Sequence, residues 1–229
     1  MFITDVAVTP APVIAMPVLF DAVAVSIGAL SGAFHAERKK FDVIGVLAVA
    51  FATGLGGGVI RDVILERGTP AFLTDPSYLL YAAFGAVVGL VVARRASRFT
   101  FVFNAVDVAT LGVWVLIGCQ KSAIAGLPAV SVVFVGVVAS VGGGLLRDLL
   151  CGEVPSTLRP GEWLAFASFL AALTYVVLNT LDTPLFLDET ATLVVAAGFR
   201  WATLRAHIRP PMPMDLTARW RPQSAAEHG

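Results

Sequence analysis

Apolar residues in this chain run in long, unbroken stretches separated by short polar segments. Seven stretches approach the ~20 residues that carry a helix across a bilayer. They fall at roughly 17–34, 42–65, 76–93, 100–118, 128–150, 161–180 and 189–207. Runs of this kind predict helices, because a transmembrane barrel would alternate apolar and polar positions. Residues 208–229 are polar and rich in Pro, Arg and Ala, and read as a tail. Residues 1–16 hold Asp5, Pro10 and Pro12 without a basic start, so they read as a short non-cytoplasmic lead-in rather than a signal peptide.

Two of the stretches carry the same interruption. Gly56-Gly57-Gly58-Val59-Ile60-Arg61-Asp62 in the second returns as Gly142-Gly143-Gly144-Leu145-Leu146-Arg147-Asp148 in the fifth, a shift of 86 positions (56 to 142). The same shift overlays Asp21 on Asp107 and Gly32 on Gly118. A glycine inside a helix costs roughly 1 kcal/mol relative to alanine. Charged residues inside a hydrophobic segment are costly as well. A chain that carries both twice, in register, is built from two related halves. Each half holds three spans, and an odd number inverts the second half in the membrane. The expected fold class is an all-α membrane protein with seven transmembrane helices, a 3+3 inverted repeat plus a seventh helix, which is a plan used by transport proteins. The expected units are a first repeat over 17–93, an inverted repeat over 100–180, a seventh helix over 189–207 and a cytoplasmic tail over 208–229.

Composition agrees with the pattern. The chain of 229 residues is 57% hydrophobic and 14% charged, with zero formal net charge and a mean hydropathy of +0.83. Soluble domains carry about 25% charged residues, so the chain reads as integral to a membrane, and nucleic acid is not an expected partner. Lys and Arg collect on one side: Arg38, Lys39 and Lys40, then Arg94, Arg95 and Arg98, then Arg205, Arg209, Arg219 and Arg221. The other side has Arg67 and Lys121 beside Asp75, Asp182, Asp188 and Glu189. Cytoplasmic loops are the basic ones, which puts the N-terminus outside and the C-terminus in the cytoplasm.

The repeated motif carries the candidate chemistry. Gly56, Gly57, Gly58 and their counterparts Gly142, Gly143, Gly144 are expected to break spans two and five. Freed carbonyls at such breaks can replace water around a monovalent cation. Arg61 and Asp62 lie roughly 5–8 Å inside the outer boundary at the rise of a helix. Adjacent helical residues point in different directions, so partners are sought at matching depth: Asp21 for Arg61, and Asp107 for Arg147. These pairs would brace the breaks. Asp62 and Asp148 are then candidate pore-mouth charges that concentrate cations, one at each end. Lys121 reads as an interfacial anchor. Ser26, Ser31, Thr53, Ser140 and Thr174 read as packing or back-bonded hydroxyls. Small residues on span three (Ala82, Ala83, Gly85, Ala86, Gly89) and span six (Ala165, Ala167, Ser168, Ala171, Ala172) permit close helix contacts. Cys119 and Cys151 have no motif spacing, and the three histidines form no ligand pattern. No catalytic constellation is present, so no enzyme activity, metal or cofactor is expected.

The doubled Gly-Gly-Gly-x-x-Arg-Asp motif, on spans two and five of a seven-span chain, resembles the prokaryotic members of the trimeric intracellular cation channel family. The resemblance covers about residues 17–207. It implies a homotrimer in the cell's inner membrane, with an hourglass pore in each subunit lined by kinked spans two and five. It implies monovalent cations, chiefly potassium and also sodium, as the permeant species. The Arg38-Lys39-Lys40 cluster could hold an anionic lipid headgroup, which makes bound lipid a further candidate partner. Animal relatives carry Lys-Glu-Val where this chain has Arg61-Asp62-Val63, a departure that argues against phosphoinositide regulation here. Some bacterial relatives are assigned to glycine uptake. The expected function is therefore a potassium-permeable channel. A secondary transporter for a small zwitterion such as glycine is the alternative, and a non-transporting membrane scaffold is a third class.

Overall fold

The computed structural model describes residues 18–66, 68–96, 100–159 and 163–206. Seven long helices account for most of them: α1 (Val18–Arg38), α2 (Val43–Ile64), α3 (Ser77–Ala96), α4 (Thr100–Ile124), α5 (Ala129–Leu150), α6 (Leu164–Thr180) and α7 (Leu185–Ala206). A single-turn helix, Ala71–Thr74, follows α2, and a 3-10 turn, Ser156–Leu158, follows α5. There is no strand among the described residues. The lead-in over 1–16, the tail over 208–229, and Arg67, Arg98 and His207 lie outside them.

The helices begin and end for local reasons. Asp42 caps α2, its Oδ1 accepting the Gly45 N–H at 2.7 Å. Pro128 stands ahead of α5 with extended backbone. Gly68, Gly126 and Gly152 follow α2, α4 and α5 with positive φ, which glycine adopts without a Cβ clash. α4 runs to Ile124 rather than stopping near 118, and α1 runs to Arg38, so His35 sits on a helix and not in a loop.

Packing joins the halves through α2 and α5. In the first half α1 lies against both α2 and α3; in the second, α5 lies against α4 and α6, and α7 covers α4 and α6. The expectation of broken spans is corrected: α2 and α5 run as continuous helices through Gly56–Gly58 and Gly142–Gly144. Their carbonyls therefore remain in the helical ladder rather than being freed for an ion. The triplets let two backbones meet. A Cβ on Gly56 would lie 2.5 Å from Leu146 Cδ1 and 3.6 Å from Gly143 Cα, and one on Gly142 would lie 2.8 Å from Ile60 Cδ1 and 3.6 Å from Gly57 Cα. A Cβ on Gly57 would overlap the Ala139 carbonyl oxygen, and one on Gly143 the Thr53 carbonyl oxygen. Each contact is the other's image under the sequence shift, so α2 and α5 cross on the pseudo-twofold axis of an inverted repeat. A Cβ on Gly32 would lie 2.9 Å from Ala50 Cα, and one on Gly118 2.8 Å from Gly136 Cα, so the relation is repeated within the halves.

The small faces read from the sequence are buried. Ala82 and Ala86 of α3 pack on α1, and Ala167, Ala171 and Ala172 of α6 are buried in the second core. Large apolar side chains such as Ile44, Leu80, Phe84, Val87, Phe134 and Val194 point outward instead. α2 and α5 are each long and apolar enough to cross a bilayer. An apolar exterior around a core with paired charges is the arrangement a membrane protein requires.

Candidate functional site

Charged side chains gather at the two ends of the α2–α5 crossing. At one end, Arg61 donates from Nε (2.9 Å) and Nη2 (2.7 Å) to Asp62 Oδ1. Asp62 Oδ2 accepts the N–H of Ala71 at 3.1 Å and so ties the single-turn helix back to α2. Asp21 Oδ2 accepts from Lys121 Nζ and from the Tyr78 hydroxyl, both at 2.7 Å. Asp21, Gly58, Arg61, Asp62, Tyr78 and Trp114 line a narrow cleft here, with a volume of about 10 Å³.

The Arg147 end is built from corresponding residues with different partners. Arg147 Nε donates to Asp148 Oδ1 at 2.9 Å, and its Nη1 donates to Asp107 Oδ1 at 3.2 Å and to Ser31 Oγ at 2.9 Å. Asp148 Oδ2 accepts the Ser156 N–H at 2.6 Å, as Asp62 does for Ala71. Arg200 of α7 lies 3.7 Å from Asp107 Oδ2. Beyond this cluster, Glu153 pairs with Lys39, with Arg159 at 2.9 Å and with His35 at 3.3 Å. The Lys39 ammonium, aided by Arg159, pulls the Glu153 carboxyl down to about 2. His35, Asp148 and Glu153 present atoms within 4.8 Å of one another. Lys39, Arg147 and Arg159 already engage those carboxylates, so a metal ion would have to displace them.

Four expectations change. Asp107 and Arg147 do meet, but Asp21 does not take Arg61: Lys121 reaches Asp21 from the end of α4, and Arg61 turns to Asp62. Depth along the helix allowed either cation, and only packing chose. Arg61 and Arg147 each bind the next residue in sequence, because a long guanidinium arm spans the angle between adjacent helical positions that short side chains cannot. Asp62 and Asp148 are not free mouth charges; they are 5% and 1% exposed and fully engaged. Burial and the adjacent guanidinium make them struts between a helix and the segment that follows. Lys121, read as an interfacial anchor, instead belongs to the site, together with Tyr78, Ser31 and Arg200. The hydroxyl readings stand for Thr53, Ser140 and Thr174, which donate back to the carbonyls of Val49, Val137 and Leu170.

Two crossed, inverted three-helix units with an ionic cluster at each end and an apolar exterior define a seven-helix membrane protein of the transport-protein plan. A sequence model described as "Glycine transporter" matches residues 18–94 and again 104–180. The chain is 34% identical over 193 residues to a UPF0126 membrane protein of Deinococcus radiodurans, covering 84% of this chain and 89% of the relative. It is 32% identical to the UPF0126 inner membrane protein YadS of Escherichia coli, covering 83% of this chain and 93% of that one. Among solved structures, the trimeric intracellular cation channel (TRIC) orthologue from Rhodobacter sphaeroides matches with a TM-score of 0.78 and 32% identity, over 83% of this chain and 98% of that chain. A second structure, described under conductance through TRIC cation channels, matches with a TM-score of 0.77 and 25% identity, over 86% and 97% of the two chains. The chain belongs to this family, which joins the glycine transporter model, the UPF0126 membrane proteins and the TRIC channels.

Proposed function

We propose that this protein is a passive, potassium-permeable cation channel of the inner membrane, with one conduction path per subunit beside the α2–α5 crossing. The observation that carries the reading is the direction of the third glycine in each triplet. Gly56, Gly57, Gly142 and Gly143 are consumed by the helix contact. Gly144 turns away from it, and a Cβ there would meet nothing nearer than Arg147 Nη2 at 3.9 Å. Gly58 likewise borders the cleft shared with Arg61 and Asp21. Bare backbone at Gly144, and beside Gly58 a cleft bordered by Trp114 and charged groups, suit a narrow hydrated route along the crossing. Likeness to TRIC channels at 32% identity supports a cation as the permeant species and a homotrimer as the assembly. The basic cluster of Arg38, Lys39, Arg159 and Arg205 supports a cytoplasmic position for the Arg147 end. Bound lipid would occupy the apolar outer faces.

The deciding experiment is single-channel recording of purified protein in planar bilayers. Unitary currents whose reversal potential follows the potassium gradient are expected. The description of the matching sequence model favours one second reading, a carrier for glycine. Silent bilayers together with saturable glycine uptake into proteoliposomes would replace the channel with that carrier.

A further inference from the structure

We propose that Trp114 is the constriction of the conduction path, and that it closes the Arg61 half while the Arg147 half stays open. This rests on the channel reading above. The two halves are images of each other under the sequence shift, so any residue can be compared with its counterpart. Trp114 of α4 corresponds to Gly28 of α1, and Ile117 corresponds to Ser31. These two exchanges put all the bulk on one side of the crossing.

In the Arg61 half the indole fills the space beside the third glycine. A Cβ on Gly58 would lie 3.2 Å from Trp114 Cη2 and 3.4 Å from Cζ3. The Arg61 guanidinium carbon sits 5.9 Å from the centre of the same ring, within range of a cation–π contact. Trp114 is 3% exposed, and Ile117 is buried beside it in the same core. At the counterpart positions Gly28 packs its bare backbone on α2, where a Cβ would lie 3.0 Å from Gly54 Cα and 3.5 Å from Trp114 Nε1, and Ser31 of the Arg147 half carries only a small hydroxyl. The hydroxyl binds Arg147 Nη1, and the space beside Gly144 is empty to 3.9 Å.

Two unmet hydrogen-bond donors lie at the indole. Arg61 Nη1 is buried without a partner, whereas Arg147 Nη1 has two. Trp114 Nε1 is also a buried donor without an acceptor. A buried donor left unmet is unfavourable. Water entering this stretch would satisfy both groups once the ring moved aside. Apolar constrictions of this kind gate by excluding water. The ring therefore opposes hydration through its bulk, while two stranded donors favour it, which is the balance a gate needs.

The test compares unitary conductance in planar bilayers for the wild-type protein, Trp114→Ala and Ile117→Ser. Both variants are expected to raise conductance or open probability several-fold. Ile117→Ser keeps the indole and gives Arg61 the hydroxyl that Arg147 has, so it tests the proposal if the larger truncation weakens the fold. Wild-type currents with both variants indistinguishable from them would overturn the proposal and leave the channel reading intact. Absent currents in all three would remove the channel reading. The constriction is then judged by thiol modification of the full chain with Cys119→Ala and Cys151→Ser. Gly144→Cys should react with a charged methanethiosulfonate, and Gly58→Cys should react only when combined with Trp114→Ala. Equal reactivity of the two cysteines with Trp114 in place would overturn the proposal without reference to any current.

Discussion

Gly57 and Gly144 belong to the same repeated motif, yet a methyl group would do opposite things at the two positions. On Gly57 it would strike the carbonyl oxygen of Ala139, which belongs to a helix backbone and cannot rotate away. On Gly144 it would enter open space. Gly57→Ala is therefore expected to lower stability by about 1–3 kcal/mol, the usual range for an overfilled contact. Gly144→Ala should be neutral or stabilising by up to ~1 kcal/mol through helix propensity alone. Thermal unfolding of the detergent-purified protein reads both, and equal destabilisation would show that the crossing does not sit where the first two glycines place it. The aspartates of the motif lead to a second residue-scale expectation. Asp148→Asn leaves Arg147 with a weakened partner and Ser156 with a neutral acceptor. Breaking a buried pair costs about 3–5 kcal/mol when one charge is lost outright, and the isosteric amide should cost less than that. Conductance at low salt should hardly change in the folded fraction, because a buried, engaged carboxylate adds little field at a mouth. A large selective loss of low-salt cation current would restore Asp148 as a mouth charge.

At the scale of elements, α1 is tied to the segment after α5 by Glu153, which holds Lys39, His35 and Arg159 together. Its carboxyl titrates at about 2 in the fold against an ordinary 4.5. The charged form is thus favoured by folding. The contribution is complete above the ordinary value and is lost as pH falls from about 4.5 toward 2. The melting midpoint of the wild-type protein should fall across that window, and Glu153→Gln should start lower and flatten this part of the profile. Identical profiles would show that the latch contributes nothing. The elements themselves were largely legible in sequence. Span positions followed from the continuous apolar runs, and the inversion followed from the repeat with its odd number of spans. The errors cluster at charges. The sequence reading ends α1 and α4 early because His35, Arg38 and Lys121 look like signs of water, whereas the helices carry His35 to the carboxylate of Glu153 and Lys121 to that of Asp21. Glycine runs read as breaks because propensity is a local quantity. The reason for these glycines is the facing helix, 86 positions away in sequence (56 to 142), and only packing reveals it. The partner of Asp21 was hidden for the same reason, since several cations share its depth.

For the whole molecule, the repeat makes the two ends nearly equivalent in shape, and orientation must come from what the repeat does not copy. Lys121 corresponds to His35, and the surroundings of each are charged, but basic residues gather at one end. Arg38, Lys39, Lys40, Arg159 and Arg205 all belong to the end where α1 and α7 finish. At the opposite end Lys121 is held by Asp21, and Asp75, Asp182 and Glu189 supply negative charge. Loops that stay in the cytoplasm keep Lys and Arg, so the Arg38 end should face inward. The turn at Ala125 between α4 and α5 is exposed at the other end and should face outward. Single cysteines test this in intact cells, again with Cys119→Ala and Cys151→Ser. Ala125→Cys should be labelled by a membrane-impermeant maleimide, and Arg38→Cys should be labelled only after permeabilisation. The reverse pattern would invert the assignment. Labelling of both in intact cells would indicate dual insertion, which an inverted repeat with similar ends permits unless the basic residues break the tie.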